Sequence, residues 1–497
     1  MKRIQYIILL AAMALSTSCL EKYPSDSLLE SESMQTLSDA EQTLNGIYAA
    51  MKSSYLYSGS MVLAQDIQAD VVYAVDGFSN SYGDFWDWDI TADDSTITGI
   101  YASLYGIIGQ CNFYLEYADR VESSIIEEED FAEFDLYTGE VYFARALAYS
   151  ELVRIFCKAY TEDIADDANS GVVLSTSYSN PAVAIRSTLR ESYGLILSDL
   201  AMAADLINED YSDAMFFTEG AVEALYARVY LHMEDWDNAI DYSSRVIDDR
   251  SDVYALATTD YNYDSTYTYN DIGYMWHYDS SYEVIWKVGM TVNSYGGALG
   301  SVFFNYNYVD FYPDYVPASW VLSSYDTSSD SRYSYYFMSI ETGYSHALTW
   351  PLVYKYWGNG DFLSSYILHT NMPKVFRLAE QYLIRAEAYA QKGSYTSAAA
   401  DLTTLSVART GSGSFNLTSS NWLETISTQR TKELFMEGYR LSDLKRWNMG
   451  FEREYQTSVV ETNSDLVIEA GDYRFVWPIP NHEITVPGSQ IVQNEGY

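Results

Sequence analysis

Apolar positions return every three or four residues over long stretches of this chain. Between 187 and 207, Leu189, Tyr193, Ile196, Leu200, Ala203 and Ile207 fall on one helical face. Thr188, with Glu191 three residues later, offers a capping box at the start. The same period predicts further helices over roughly 36–53, 98–118, 138–156, 218–232, 236–248, 375–391, 395–408 and 421–447.

Two of these predicted helix pairs share an internal pattern. Ala227, Tyr230, Trp236 and Ala239 stand at the same intervals as Ala386, Tyr389, Tyr395 and Ala398, with Gly393 in the second turn. This is the spacing of a tetratricopeptide pair, in which small residues let two antiparallel helices approach and aromatics fill the space beside them. The copies lie 159 residues apart, so they are no tandem array. Between them, over about 254–366, the pattern changes to short aromatic runs in Tyr-, Gly-, Asn-, Ser- and Asp-rich sequence, which predicts short strands and loops. A helical scaffold carrying such an insert is a common way to build a binding site.

Composition sharpens this picture at a few points. The insert holds 21 of the 49 tyrosines. Tyrosine joins a flat apolar face to a hydroxyl, which suits sugar rings, protein interfaces and ordinary cores alike. The net charge of −42, from 70 acids and 28 bases, argues against nucleic acid and anionic membrane surfaces as ligands. At the N-terminus, Lys2 and Arg3 precede an apolar run from Ile4 to Leu15, too short for a retained membrane span, and then "LSTSC". Small residues ending in cysteine predict a lipoprotein signal over 1–18, with Cys19 acylated. Cys111 and Cys157 lie in apolar helical stretches and read as buried small hydrophobes.

Three stretches carry a resemblance. In "RTKELFMEGYRLSDLKRWNMG", the residues Arg430, Glu433, Leu434, Glu437, Gly438, Arg440, Asp443, Leu444, Arg446 and Trp447 match one signature. "FRLAEQYLIRAEAYAQKG" and the C-terminal "VWPIPNHEITVPGSQIVQNEGY" match two more. Together they resemble the SusD/RagB family of outer-membrane nutrient-binding lipoproteins, and the likeness runs over nearly all of 19–497. The resemblance implies one mostly α domain: tetratricopeptide-like helix pairs in an α-α superhelical scaffold, with an irregular, loop-rich aromatic half carrying short strands. Its parts would be a helical 19–250, the insert 254–366, and a C-terminal helical part over 367–497. It also implies oligosaccharide as ligand (peptide or glycoprotein in some relatives), a SusC-type TonB-dependent barrel as partner, a lipid anchor in the outer membrane, and no catalysis.

The residues themselves agree with a binding protein. The signature acids and bases stand at i, i+3 helix spacing, which reads as ion pairing rather than a carboxylate dyad. The five histidines are scattered, and "DFWDWDITADD" lacks EF-hand spacing, so no metal or cofactor is expected. Two loop-like regions, 82–88 and 295–325, supply the candidate ligand residues. Trp86, Trp88 and Trp320 offer the largest faces, and Tyr82, Tyr306 and Tyr312 a face with a hydroxyl. Asp84 and Asn305 would serve the rim. Trp320, beside Pro317, has packing under its own loop as the competing reading. The bases of 254–366 are Lys287, Arg332 and Lys355, against eleven acids, which favours neutral glycans over polyanions.

Overall fold

A computed structural model describes residues 33–180, 183–208, 213–261, 269–345, 350–454 and 466–497. Cys19 and the leader lie outside the described residues. No described helix is long and apolar enough to cross a membrane.

Helices dominate. The N-terminal half is built from α1 (Leu37–Ala50), α2 (Ser60–Gln68), α3 (Ser95–Glu122), α4 (Glu128–Phe156) and α5 (Leu189–Leu206). The expected capping box opens α5: the Thr188 hydroxyl accepts from the Glu191 amide at 3.1 Å, and the Glu191 carboxylate accepts from the Thr188 amide at 2.9 Å. Sequence periodicity misses α2 because that helix is buried all round and has no polar face. It also starts α4 ten residues late. Glu128, Glu129 and Asp130 hold that first turn, where acids suit the positive end of the helix dipole.

The two tetratricopeptide-like pairs are α6 (Glu219–His232) with α7 (Trp236–Ser244), and α8 (Leu378–Gln391) with α9 (Tyr395–Thr410). Ala227 and Ala239 are fully buried where α6 meets α7, and Ala386 and Ala398 take the same places between α8 and α9. Although far apart in sequence, the pairs are neighbours in space. Ile384 and Ala388 of α8 pack into the cluster formed by Ala227, Leu231 and Ala239. The insert therefore leaves and re-enters a continuous helical stack. Ala386→Leu should overpack this seam and cost about 1–3 kcal/mol, while ligand affinity per folded molecule stays unchanged. A thermal melt coincident with wild type would mean the register is wrong.

Two predicted boundaries need correction. The stretch 375–391 does not start as helix: Lys374–Arg377 forms strand β4, paired antiparallel with β2 (Val284–Lys287) of the insert. A partner strand from elsewhere in the chain overrides the local helical period. The stretch 421–447 is likewise not one helix but α10 (Trp422–Glu433) and α11 (Arg440–Arg446). Gly438 breaks it with φ +82°, where a Cβ would meet Val62 at 3.0 Å. The buried Asp66 carboxylate of α2 then accepts from the amides of Gly438 and Arg440, both at 2.9 Å, and caps α11.

That break redirects the signature charges. Their role is structural, as the spacing suggests, but only Asp443 and Arg446 pair within one helix, at 2.8 Å. Glu433 instead meets Arg332 at 2.9 Å, Arg377 at 2.8 Å and Arg409 at 2.8 Å, all with side chains buried. Glu437 meets Lys355 at 2.7 Å and Arg377 at 2.6 Å. Glu283 joins Arg377 at 2.6 Å and Arg409 at 2.8 Å. Arg332, Lys355 and Glu283 belong to the insert, so this network locks the aromatic half onto the scaffold.

Glu140, on α4, is a buried acid of another kind. It accepts from the Tyr48 hydroxyl at 2.8 Å, and no base pairs with it among the described residues. Burial pushes its carboxyl up to about 8, against the pull of the Tyr48 hydrogen bond. The folded protein thus keeps a proton at pH 5–7 that the unfolded chain releases. Stability should fall as pH rises from about 5 to 8, by roughly 1.4 kcal/mol per pH unit from this group alone. Glu140→Gln should be the more stable protein at pH 8 and lack that part of the slope. Parallel pH profiles of the two unfolding free energies would refute this.

Candidate functional site

Strand β1 (Val72–Ala74) pairs antiparallel with β3 (Tyr315–Pro317), Val72 opposite Pro317 and Ala74 opposite Tyr315. That register carries the chain after β1 alongside the chain before β3. The loop holding Tyr82 and Asp84 is thereby brought against the hairpin holding Asn305, Tyr306 and Tyr312. Asp314 clamps the two together. Its carboxylate accepts from the Ser79 amide at 2.7 Å and the Ser79 hydroxyl at 2.9 Å. Burial raises the Asp314 carboxyl, while hydrogen bonds from Ser79, Ser81 and Asn305 pull it down. The Tyr315 hydroxyl adds a bond to the Ser81 carbonyl at 2.6 Å.

The hairpin is an aromatic projection. Asn305 ends a short helix, Ser301–Phe304, in the left-handed region at φ 39° and is exposed. Tyr306 bridges to Phe311, and their rings stack at 4.7 Å. Asn307 closes the turn by accepting from the amides of Val309 and Asp310 at 2.9 and 2.8 Å. Tyr308 and Val309 at the tip are 82% and 77% exposed. Trp357, half-buried, extends the band: it meets Phe304 edge-on at 5.0 Å, Phe311 at 5.8 Å and Tyr354 at 5.5 Å. Tyr312 sits against Tyr344, ring centroids 5.3 Å apart.

Not all the candidates join this face. Trp86 and Trp88 are 1% and 2% exposed, so neither presents a ring to a ligand, and the packing reading replaces the platform reading. The Arg453 guanidinium covers Trp86 at 3.6 Å, and the Trp88 ring nitrogen donates to the Gln68 carbonyl at 2.6 Å. A short helix, Gly83–Trp86, turns the Trp86 ring inward, and the turn after it, with Trp88 at φ 57°, does the same for Trp88, although the flanking residues are polar. Trp320 lies beyond the other end of β3, where its ring nitrogen donates to the Asp70 carbonyl at 2.7 Å and Arg440 stacks at 5.4 Å. It packs under its loop, away from the hairpin. Tyr82 is half-buried with its hydroxyl 3.1 Å from that of Ser60. Asp84 is exposed, its carboxyl raised by partial burial and by Asp94, Asp89 and Asp87.

Sequence reasoning passed over Trp357, Phe311, Tyr344 and Tyr354. The one signal for Trp357 was its setting in "YKYWGNG", a large ring beside glycines outside any helical period. Among the described residues, no Lys or Arg stacks on these rings. Of the three insert bases, Arg332 and Lys355 are held in the buried ion network. Lys287 donates to the Asp279 carbonyl at 2.7 Å. Among the described residues, no group of three or more His, Cys, Asp or Glu is arranged to hold a metal.

Comparison with known proteins covers nearly the whole chain. Residues 20–231 match the SusD-like family described as starch-binding and associating with the outer membrane. Residues 248–497 match the SusD family, SusD_RagB. SusD-like protein P38 of Formosa agariphila is 23% identical over 504 residues, covering 90% of this chain and 92% of that protein. SusD-like protein P2 of the same organism is 23% identical over 251 residues, and the match spans 50% of this chain and 46% of that protein. A SusD superfamily crystal structure from Bacteroides thetaiotaomicron aligns with TM-score 0.77 and 26% identity, over 92% of this chain and 99% of that one. Another from Bacteroides vulgatus aligns with TM-score 0.75 and 22% identity, over 93% and 99%.

Proposed function

The chain belongs to the SusD family, and from that premise we propose that it is a cell-surface lipoprotein that captures oligosaccharide and passes it to a SusC-type TonB-dependent barrel. The family description that matches its first half names starch binding and the outer membrane, which supports a glycan as ligand and the membrane surface as its place. The anchor in this reading is the acylated Cys19. Binding, not catalysis, is its task.

The observation that carries the reading is the aromatic face of Tyr306, Phe311 and Trp357. Rings half-buried at one side and open at the other offer stacking area without collapse into the core. Asn305, exposed at the base of the hairpin, can hydrogen-bond sugar hydroxyls. Tyr312, Tyr82 and Asp84 line the flank joined through Asp314. Arg332 and Lys355 are held by buried carboxylates, and Lys287 donates to the Asp279 carbonyl, so none of the three insert bases stacks on these rings or stands ready beside them for sulfate or uronate. A neutral glycan therefore fits this face better than a polyanion.

Trp357→Ala should weaken oligosaccharide binding by about 1–3 kcal/mol, the scale of aromatic stacking on a planar ring. The assay is calorimetric titration with neutral oligosaccharides chosen from a glycan array on wild type, beside a melting curve. Normal binding by a folded Trp357→Ala variant would move the site elsewhere. An array that stays blank for glycans and positive for peptides would replace the ligand class.

A further inference from the structure

A cleft of about 430 Å³ beside the family signature has no role in the readings above. Three distant segments wall it: the chain just after α4, the end of α11, and the C-terminal stretch. Lys158, Lys445, Arg446, Asn448, Tyr473 and Glu495 face it. Its size lies within the roughly 300–1,000 Å³ of small-molecule sites. It shares no residue with the aromatic face.

The charges in this wall do not cancel. Asp472 is bonded to Arg474 at 2.7 Å, and Glu495 to Lys158 at 2.9 Å. Arg446 is committed to Asp443 at 2.8 Å and also to Glu387. Among the described residues, Lys445 alone of these bases has no carboxylate partner. Its ammonium donates to the carbonyls of Arg154 and Cys157 at 2.5 and 2.8 Å. Those bonds cap the end of α4, a stabilising place for a cation. They use two of three N–H donors, and the third has no acceptor among the described residues. Burial pulls the amine down to about 7, so a neighbouring anion would favour its charged form. Nearby, the Asn448 side-chain amide and the Tyr473 hydroxyl make no hydrogen bond to described residues, and Tyr473 is exposed.

We propose that this cleft binds a small sugar acid: a single ring with one carboxylate, which the Lys445 ammonium would meet, and hydroxyls for Asn448 and Tyr473. Helix capping explains two of the bonds Lys445 makes. It does not explain an unneutralised ammonium beside free polar groups in an open cleft, and a carboxylate ligand does. The site stands apart from the neutral-glycan reading, so either can fail alone.

The test is calorimetry on the full chain with glucuronate, and with glucose as the same ring lacking the carboxylate. Glucuronate should bind at least tenfold more tightly than glucose. Lys445→Met should abolish that preference, and the double variant Asn448→Ala with Tyr473→Ala should weaken glucuronate several-fold. Trp357→Ala should leave it unchanged. Should Lys445→Met melt early through loss of the α4 cap, the double variant decides, because the Asn448 amide and Tyr473 hydroxyl make no hydrogen bond to described residues. Tyr473→Phe in place of Tyr473→Ala keeps the ring against Tyr497 and tests the hydroxyl alone. Equal affinity for glucose and glucuronate, or wild-type glucuronate binding by the double variant, would overturn the proposal.

Discussion

Glu433→Ala is expected to cost about 3–5 kcal/mol, a large share of the stability of any domain. Burial alone would raise the Glu433 carboxyl, yet Arg409, Arg377 and Arg332 together hold it well below the usual carboxylate range. It is therefore ionised in the folded state at all ordinary pH. Removing it leaves three buried guanidiniums short of a counter-charge. Arg332 keeps Asp330 and Arg377 keeps Glu437, which Lys355 also uses, while Arg409 is left with Glu283, shared with Arg377. Glu433→Gln keeps the shape but turns an amide N–H₂ towards cations, so it should recover little. Asp241→Ala is the control, because the exposed Asp241–Arg245 pair at 2.7 Å should contribute under about 0.5 kcal/mol. The check is urea unfolding of all three variants. If Glu433→Ala matches Asp241→Ala, the network is not what joins insert to scaffold.

The distance between Glu433 and its partners shows which parts of this fold were legible. The helix pairs were, because Ala227 and Ala386 sit in a local pattern of small and aromatic residues that needs no knowledge of the rest of the chain. What pairs with Glu433 was not: Arg332 is 101 residues away, and only the break at Gly438 turns Glu433 and Glu437 towards the insert. The site divides the same way. Asn305, Tyr306 and Tyr312 stand out in the sequence as an amide and rings in a loop-rich stretch, and the hairpin they share is what brings them into the proposed face. Trp86 and Trp88 misled because polar neighbours suggest an exposed loop, whereas a helical turn ending at Trp86 and the left-handed turn that follows put both rings in the core. Trp357 does not stand out in the sequence because its place on the proposed face depends on contact with Phe311, which lies 46 residues before it. Many tyrosines counted towards recognition are simply core, among them Tyr315, Tyr325, Tyr336 and Tyr356.

Arg453→Met should be nearly as damaging as loss of Glu433, for the opposite reason. Arg453 is buried and has no carboxylate partner among the described residues. Burial draws its guanidinium down to about 9, so it stays charged at pH 7. Its donors go to carbonyls instead: Ile67 at 3.2 Å, Gln68 at 2.9 Å, Ala69 at 2.9 Å and Trp86 at 2.6 Å. The first three end α2, where carbonyls lack helical partners and a cation meets the negative end of the dipole. The fourth closes the helical turn that buries Trp86. Methionine fills much the same space but donates nothing, leaving several buried acceptors unsatisfied at about 1–3 kcal/mol each. Compensation between neighbours brings the expected total to roughly 3–5 kcal/mol. Arg453→Lys should recover less than half of that, because one ammonium cannot span carbonyls on both α2 and the Trp86 turn. Hydrogen exchange supplies a local readout beside the melting curve. Amides of Gly83–Trp88 should exchange faster in Arg453→Met, while those of α8 and α9 change only as far as global stability does. Unaltered exchange at Gly83–Trp88 would mean that the turn holds itself, and that Arg453 serves α2 alone.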